Sequence, residues 1–333
     1  MRAAAALGLL LGIVYAGCGF SSTQTTPIDG ATPDAPDDAA VLDAPDAPRS
    51  DGCVTFSAQV DTCTLAFGGD LSVTQGATYN TDTHELLVGG APVSITRVTL
   101  SVNGGSMDAI LVHDIALATG VVLRATGSQS SGALPLAIVA SGTVTLGDGA
   151  TIDVGSGGAG AIAGCSNPPL AGETSASGAG GGGGGSYGGA GGDGGGGNAG
   201  GTPTMGGSGG KSVGMPAELR GGCPGARGGF GGMTAVGAAG LGGGAMYIVA
   251  ASGITLGMDA VLQAGGGGGG GGTRNSSPPF GNAGGGGGGS GGMIRLEAPH
   301  VLAANARIVA NGGGGGEGSD LIIAGRPGSP GLT

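Results

Sequence analysis

The longest stretches of this chain carry almost no side chains, and that constrains every way it can fold. Of the 87 glycines in 333 residues, 19 lie in residues 1–154, which leaves 68 for residues 155–333. Glycine is among the poorest helix formers and brings nothing to a hydrophobic core. Ordering it costs roughly 0.5–1 kcal/mol more than ordering alanine. Trp is absent, aromatic residues are 3% and charged residues 10%, against about 25% charged in an ordinary domain. These values argue against a helical or α/β enzyme.

The glycine tracts are not featureless. From Tyr187 to Lys211, positions 187, 190, 193, 199, 202, 205, 208 and 211 are non-glycine, at a spacing of three broken only by Gly196. Arg227, Phe230 and Met233, and then Ser290 and Met293, keep the same spacing. A free spacer has no reason to hold a register of three. A left-handed extended helix with three residues per turn does. In that reading Gly192 is a packing position and Ala190 stands on the free face. Such a tract resembles the polyglycine-II bundles of phage tail-tip adhesins and Gly-rich antifreeze proteins. The resemblance implies tracts packed together backbone to backbone.

Between the tracts lies a repeat. Ile138–Gly155, Ile248–Gly265 and Ile294–Gly312 align, with equivalent positions Ile138/Ile248/Ile294, Leu146/Leu256/Leu302, Ala150/Ala260/Ala306 and Ile152/Leu262/Ile308. A weaker copy, 29 residues before the first, supplies Leu117, Val121, Leu123 and Ala125. Each copy holds short runs of alternating apolar and polar residues. Strands so short cannot form a core alone, whereas stacked copies would align their aliphatic side chains. The expected fold is all-β: a parallel β-helix (solenoid) with long Gly-rich inserts at 155–244, 265–292 and 311–318, read as polyglycine-II helices. Leu86-Leu87-Val88, Val93-Ser94-Ile95 and Val98–Val102 would form its first coils, with residues 53–85 as a cap. The body is expected to span 53–333.

The N-terminus reads as an export signal over 1–17: Arg2, then the apolar run Ala3–Val14, too short to cross a bilayer. Tyr15-Ala16-Gly17-Cys18 resembles the lipobox of bacterial lipoproteins, with Tyr15 standing where Leu is usual. The resemblance implies that Cys18 is lipidated. Residues 18–52 then form an acidic tether, with seven Asp spaced by Pro and Ala and one Arg. Such composition cannot bury a core. Anchor, tether and Gly-rich body resemble surface lipoproteins of myxobacterial type. The resemblance, with Gly19 after the anchor, implies attachment to the outer membrane.

Beyond Cys18, four cysteines, Cys53, Cys63, Cys165 and Cys223, allow three disulfide pairings, which spacing does not choose among. Cys53–Cys63 with Cys165–Cys223 is the expected set. No Cys or His spacing marks a metal site, and no cofactor is implied. Gly315–Ile323 fits one calcium nonapeptide, but that motif needs consecutive copies. Gly210-Lys211-Ser212 imitates a P-loop end without its strand. His84, His113 with Asp114, Asp108 and His300 read as turn or edge residues rather than acid–base groups. With a net charge of −11 and one Lys, nucleic acid is not an expected partner. The expected function is a non-catalytic, lipid-anchored surface protein, structural or adhesive. A module that binds glycans or another cell's surface through its Gly-rich loops is the alternative, and a β-helical carbohydrate-active enzyme comes third.

Overall fold

The computed structural model describes residues 55–333, apart from 104, 129–132, 163, 176–177, 200–201, 215, 233–234, 276–280, 320–322 and 332–333. All described residues belong to one unit that runs from 48 to 333. Cys18, Cys53 and the expected signal and tether segments lie outside them.

In chain order the strands are β1 (Leu71–Val73), β2 (Ala77–Asn80), β3 (Glu85–Val88), β4 (Ala91–Val93), β5 (Thr96–Val102), β6 (Gly105–Val112), β7 (Ile115–Leu117), β8 (Val122–Thr126), β9 (Leu136–Ala140), β10 (Thr143–Leu146) and β11 (Thr151–Asp153). There follow β12 (Gly197–Ala199), β13 (Thr202–Thr204), β14 (Ala245–Ala250), β15 (Gly253–Leu256), β16 (Val261–Gln263), β17 (Arg274–Asn275), β18 (Gly281–Asn282), β19 (Met293–Glu297), β20 (Val301–Ala303) and β21 (Arg307–Val309). Among the described residues the helical content is one 3-10 turn, Thr62–Thr64.

Three larger sheets take these strands in the orders β1-β7-β10-β15-β20, β21-β16-β11-β8-β2-β3-β4 and β19-β14-β9-β6-β5. Aliphatic pairing sets the registers. Leu117 lies beside Leu146, and Leu146 beside Leu256. Leu123, Ile152 and Leu262 form a second row, and Ile110, Ile138 and Ile248 a third. All nine are buried in one core, each side chain stabilising the fold by about 1.5–3 kcal/mol relative to exposure. The central strands of the third sheet are buried on both faces, so β9 and β14 read as unbroken apolar runs. Its second face packs Met107, Leu111, Val139 and Tyr247 against Val60, Phe56 and Phe67.

The expected parallel β-helix, with or without polyglycine-II inserts, is corrected by this topology: the fold consists of parallel and mixed sheets with almost no helix. Two of the three sheets are mixed. β3 runs antiparallel to both β2 and β4, and β5 to β6. The segments read as first coils are these strands. Their connections are too short for a parallel crossover, which needs a dozen or more residues. Gly89 and Gly90, with φ +58° and +82°, turn β3 into β4, and Asn103, φ +50°, begins the turn from β5 to β6.

The third repeat copy is also corrected. Ile294 pairs with Met246 rather than Ile248, and Leu302 pairs with Thr255 rather than Leu256. Leu302 therefore faces outward and is 57% exposed. Only the last strand keeps the expected offset, with Ile308 beside Leu262.

Most of the glycine tracts carry no strand, yet their backbones are hydrogen-bonded to one another at every third residue. The segment 282–292 lies at the centre. The N–H groups of Gly284, Gly287 and Ser290 donate to the carbonyls of Gly229, Ala226 and Cys223, at 3.0, 2.8 and 2.9 Å. Those of Gly286 and Gly289 donate to Gly270 and Gly267, both at 2.8 Å. Its carbonyls accept from Gly182 and Gly185, from Gly237 and Gly240, and from Gly313 and Gly316. A Cβ at Gly284, Gly286, Gly287 or Gly289 would overlap a neighbouring carbonyl oxygen. Gly192 departs from its expected role: a Cβ there meets nothing within 4 Å.

Cys165 and Cys223 form the expected disulfide, with Cα atoms 5.9 Å apart across 58 residues. Cys63 is disulfide-bonded, and its expected partner Cys53 lies outside the described residues. A loop of this length gives the 165–223 link about 2–4 kcal/mol. Replacing both cysteines with serine should lower the denaturant midpoint, with a steeper slope because the unfolded chain loses its cross-link. An unchanged midpoint would show that the hydrogen-bonded glycine segments alone hold this region.

Candidate functional site

Side chains leave the glycine array on one outer face, where three segments lie side by side. Leu170 and Glu173 donate their N–H groups to the carbonyls of Ser208 and Met205, at 2.8 and 3.0 Å. On the other side Gly172 and Ser175 donate to Arg227 and Phe230. This arrangement displays Leu170, Met205 and Phe230 on neighbouring segments, 59%, 75% and 38% exposed. Charged groups frame them. The Arg227 guanidinium lies 5.1 Å from the Phe230 ring centre, and the Glu173 carboxylate accepts the Met205 N–H at 2.7 Å. A side chain displayed this way is held by its backbone bonds, not by burial. The sequence spacing marks Met205, Arg227 and Phe230. Leu170 carries no such signal and is found only through its segment's pairing.

Further along the same tract Ala190, Asp193, Ser208 and Lys211 are exposed, and Asp193 accepts the Gly209 N–H at 2.7 Å. Tyr187 is different. Its hydroxyl donates to the Arg220 carbonyl at 3.2 Å, and burial pushes its pKa up to about 12.

A cleft of about 360 Å³ opens where the second sheet meets the glycine array, lined by Arg124, Thr126, Asp153, Ser156, Gln263 and Pro330 among others. Arg124, Asp153 and Gln263 are direct cross-strand neighbours. Arg124 donates to Asp153 through Nε at 3.1 Å and approaches the same oxygen with Nη2 at 3.0 Å. Planar polar groups in such a row suit hydrogen-bonding to a hydroxyl-rich ligand.

The structure also gathers residues that sequence spacing separates. Asp108 is wholly buried. Its Oδ2 accepts from the Tyr79 hydroxyl and lies 2.9 Å from His84 Nδ1, while Oδ1 is 3.6 Å from Arg97 Nη1. His84 sits at φ +60° in the turn after β2. Burial, then the hydrogen bond to Asp108, pushes the Tyr79 phenol well above its ordinary range. This network ties strands β2, β5 and β6 together through one carboxylate, whose Oδ2 takes the two short contacts while Oδ1 accepts no hydrogen bond among the described residues. His113 and Asp114 are exposed neighbours at the turn into β7. Hydrogen bonds from Thr143 hold the Asp114 carboxyl below the usual carboxylate range. His300 is exposed beside Gly253, where a Cβ would strike its ring. Of the nonapeptide Gly315–Ile323, residues 320–322 lie outside the described residues.

No family model, curated protein or solved structure matches this chain. Among the described residues no helix is long and apolar enough to cross a membrane.

Proposed function

We propose that this chain is a non-catalytic surface protein, anchored to the outer membrane by lipid on Cys18, with a structural or adhesive role. The observation that supports adhesion is the display of Leu170, Met205 and Phe230 on three hydrogen-bonded segments, framed by Arg227 and Glu173. Apolar anchors ringed by charge, on a backbone already ordered, suit capture of a partner at low entropic cost. The anchor rests on Ala16-Gly17-Cys18 and the acidic stretch behind it.

Two measurements test the reading. Mass spectrometry of the membrane fraction should find Cys18 as the mature N-terminus carrying lipid, and an unmodified Cys18 or another mature start sinks the anchor. The double variant Leu170→Asp, Met205→Asp should keep the parent's melting temperature and lose retention on cell surfaces. Equal retention would remove the adhesive face. The second reading, a glycan-binding module, is favoured by the Arg124–Asp153–Gln263 cleft. A glycan array on which Gln263→Ala abolishes the signal would select it.

A further inference from the structure

We propose that Asp70, His113 and Asp114 form a binding site for a divalent transition-metal ion of the zinc class. One ligand atom from each of the three side chains lies within 4.8 Å of the other two. His113 Nε2 and Asp114 Oδ2 stand 3.9 Å apart. Ligands about 2.0–2.2 Å from a tetrahedral zinc are roughly 3.4 Å from one another, so small side-chain rotations close the set.

The surroundings orient each ligand. His113 Nδ1 pairs with Ser141 Oγ at 3.1 Å, which fixes the ring with Nε2 toward Asp114. A partner on the second ring nitrogen is the usual support of a metal-bound histidine. Asp114 Oδ1 accepts from Thr143 N at 2.6 Å and from Thr143 Oγ1 at 2.9 Å, leaving Oδ2 for the ion. A Cβ at position 142 would overlap Asp114 Oδ1 and crowd the His113 carbonyl. Gly142 is thus what lets the carboxylate seat. Asp70 is brought in by the backbone on both sides: His113 donates its N–H to the Gly69 carbonyl at 3.3 Å, and Leu71 donates to the Asp114 carbonyl at 2.8 Å.

One imidazole with two carboxylates fits zinc and its neighbours, whereas calcium and magnesium take oxygen ligands. The site lies at the start of β1 and β7, which pair in parallel with β1 at the sheet's edge. A bound ion would clip that edge strand to its neighbour, with open coordination positions toward solvent. The side chains of His113 and Asp114 are 60% and 41% exposed, so entry is unobstructed. Sequence spacing gives no hint of the set, because Asp70 stands 43 residues before His113.

The test is calorimetric titration of the full chain, freed of metal by chelator, with zinc chloride in excess magnesium. One ion per chain is expected. Asp70→Asn and His113→Gln should each weaken binding at least tenfold, and Asp193→Asn, in the glycine array, should not. Zinc should raise the melting temperature of the parent but not of either site variant. In the parent, the His113 imidazole signals should shift on titration, with those of His84 and His300 unmoved. Absence of saturable binding overturns the proposal. So does binding that survives both site variants, or zinc-dependent shifts shared equally by all three histidines.

Discussion

A Gly287→Val chain is expected to lose most of its stability. A Cβ at this position overlaps the Gly183 carbonyl oxygen, and that obstacle is backbone, which cannot swing aside as a side chain does. Gly287 also donates to Ala226 at 2.8 Å and accepts from Gly240 at 2.8 Å. Moving it far enough to seat a valine breaks both bonds. Each is worth about 1 kcal/mol net, and each buried group left unpaired costs roughly 1–3 kcal/mol more. The total is several kcal/mol, against a typical net stability of about 5–15. Gly192→Val is the matched comparison, because a Cβ there meets nothing within 4 Å. Chemical denaturation of the two variants should separate them widely. Coincident midpoints, or fast amide exchange at residues 226 and 240 in the parent, would mean that the array contributes nothing to stability.

Leu256→Asp is expected to be comparably damaging for a different reason. Leu256 is 1% exposed, in the row with Leu117 and Leu146. The substitution forfeits about 1.5–3 kcal/mol of burial and places a carboxylate among aliphatic groups, at a cost of several kcal/mol more. Thr255, next in the strand, is exposed, and Thr255→Asp should cost little. Equal melting temperatures for the two variants would contradict the observed register.

Much of this was legible in the residues, and the failures have identifiable causes. The repeats at 138–155 and 248–265 pair at their sequence offset because both hold the same apolar alternation with a tight turn between strands. Leu302 misled. The third copy reaches its last strand through fewer residues, so its earlier strands pair two and then one position away from a gapless alignment. Gly89-Gly90 and Asn103 mark hairpin turns that outweigh the alternation around them, so β3 runs antiparallel to β4 and β5 to β6. Along the spacing of three from Tyr187 to Lys211, Ala190, Asp193, Met205, Ser208 and Lys211 are exposed as expected, whereas Tyr187 is half-buried with its hydroxyl on the Arg220 carbonyl. It could not foretell neighbours. Glycine tracts are nearly identical to one another, so nothing in their text specifies that 170–175 lies between 205–211 and 226–231. The Asp108 network escaped for a simpler reason: it joins four residues from four separate strands and turns.

The central place of residues 282–292 has a consequence for how the protein is made. Segments 179–185, 222–229 and 237–243 are synthesised first, yet each directs part of its hydrogen bonding to a segment not yet present. Residues 313–319 then complete the far side. Because so many partners are distant in sequence, ordering should come late and as one event. A chain still on the ribosome would carry the array as an open, extended strand. Closure would wait until residues 313–319 had been made.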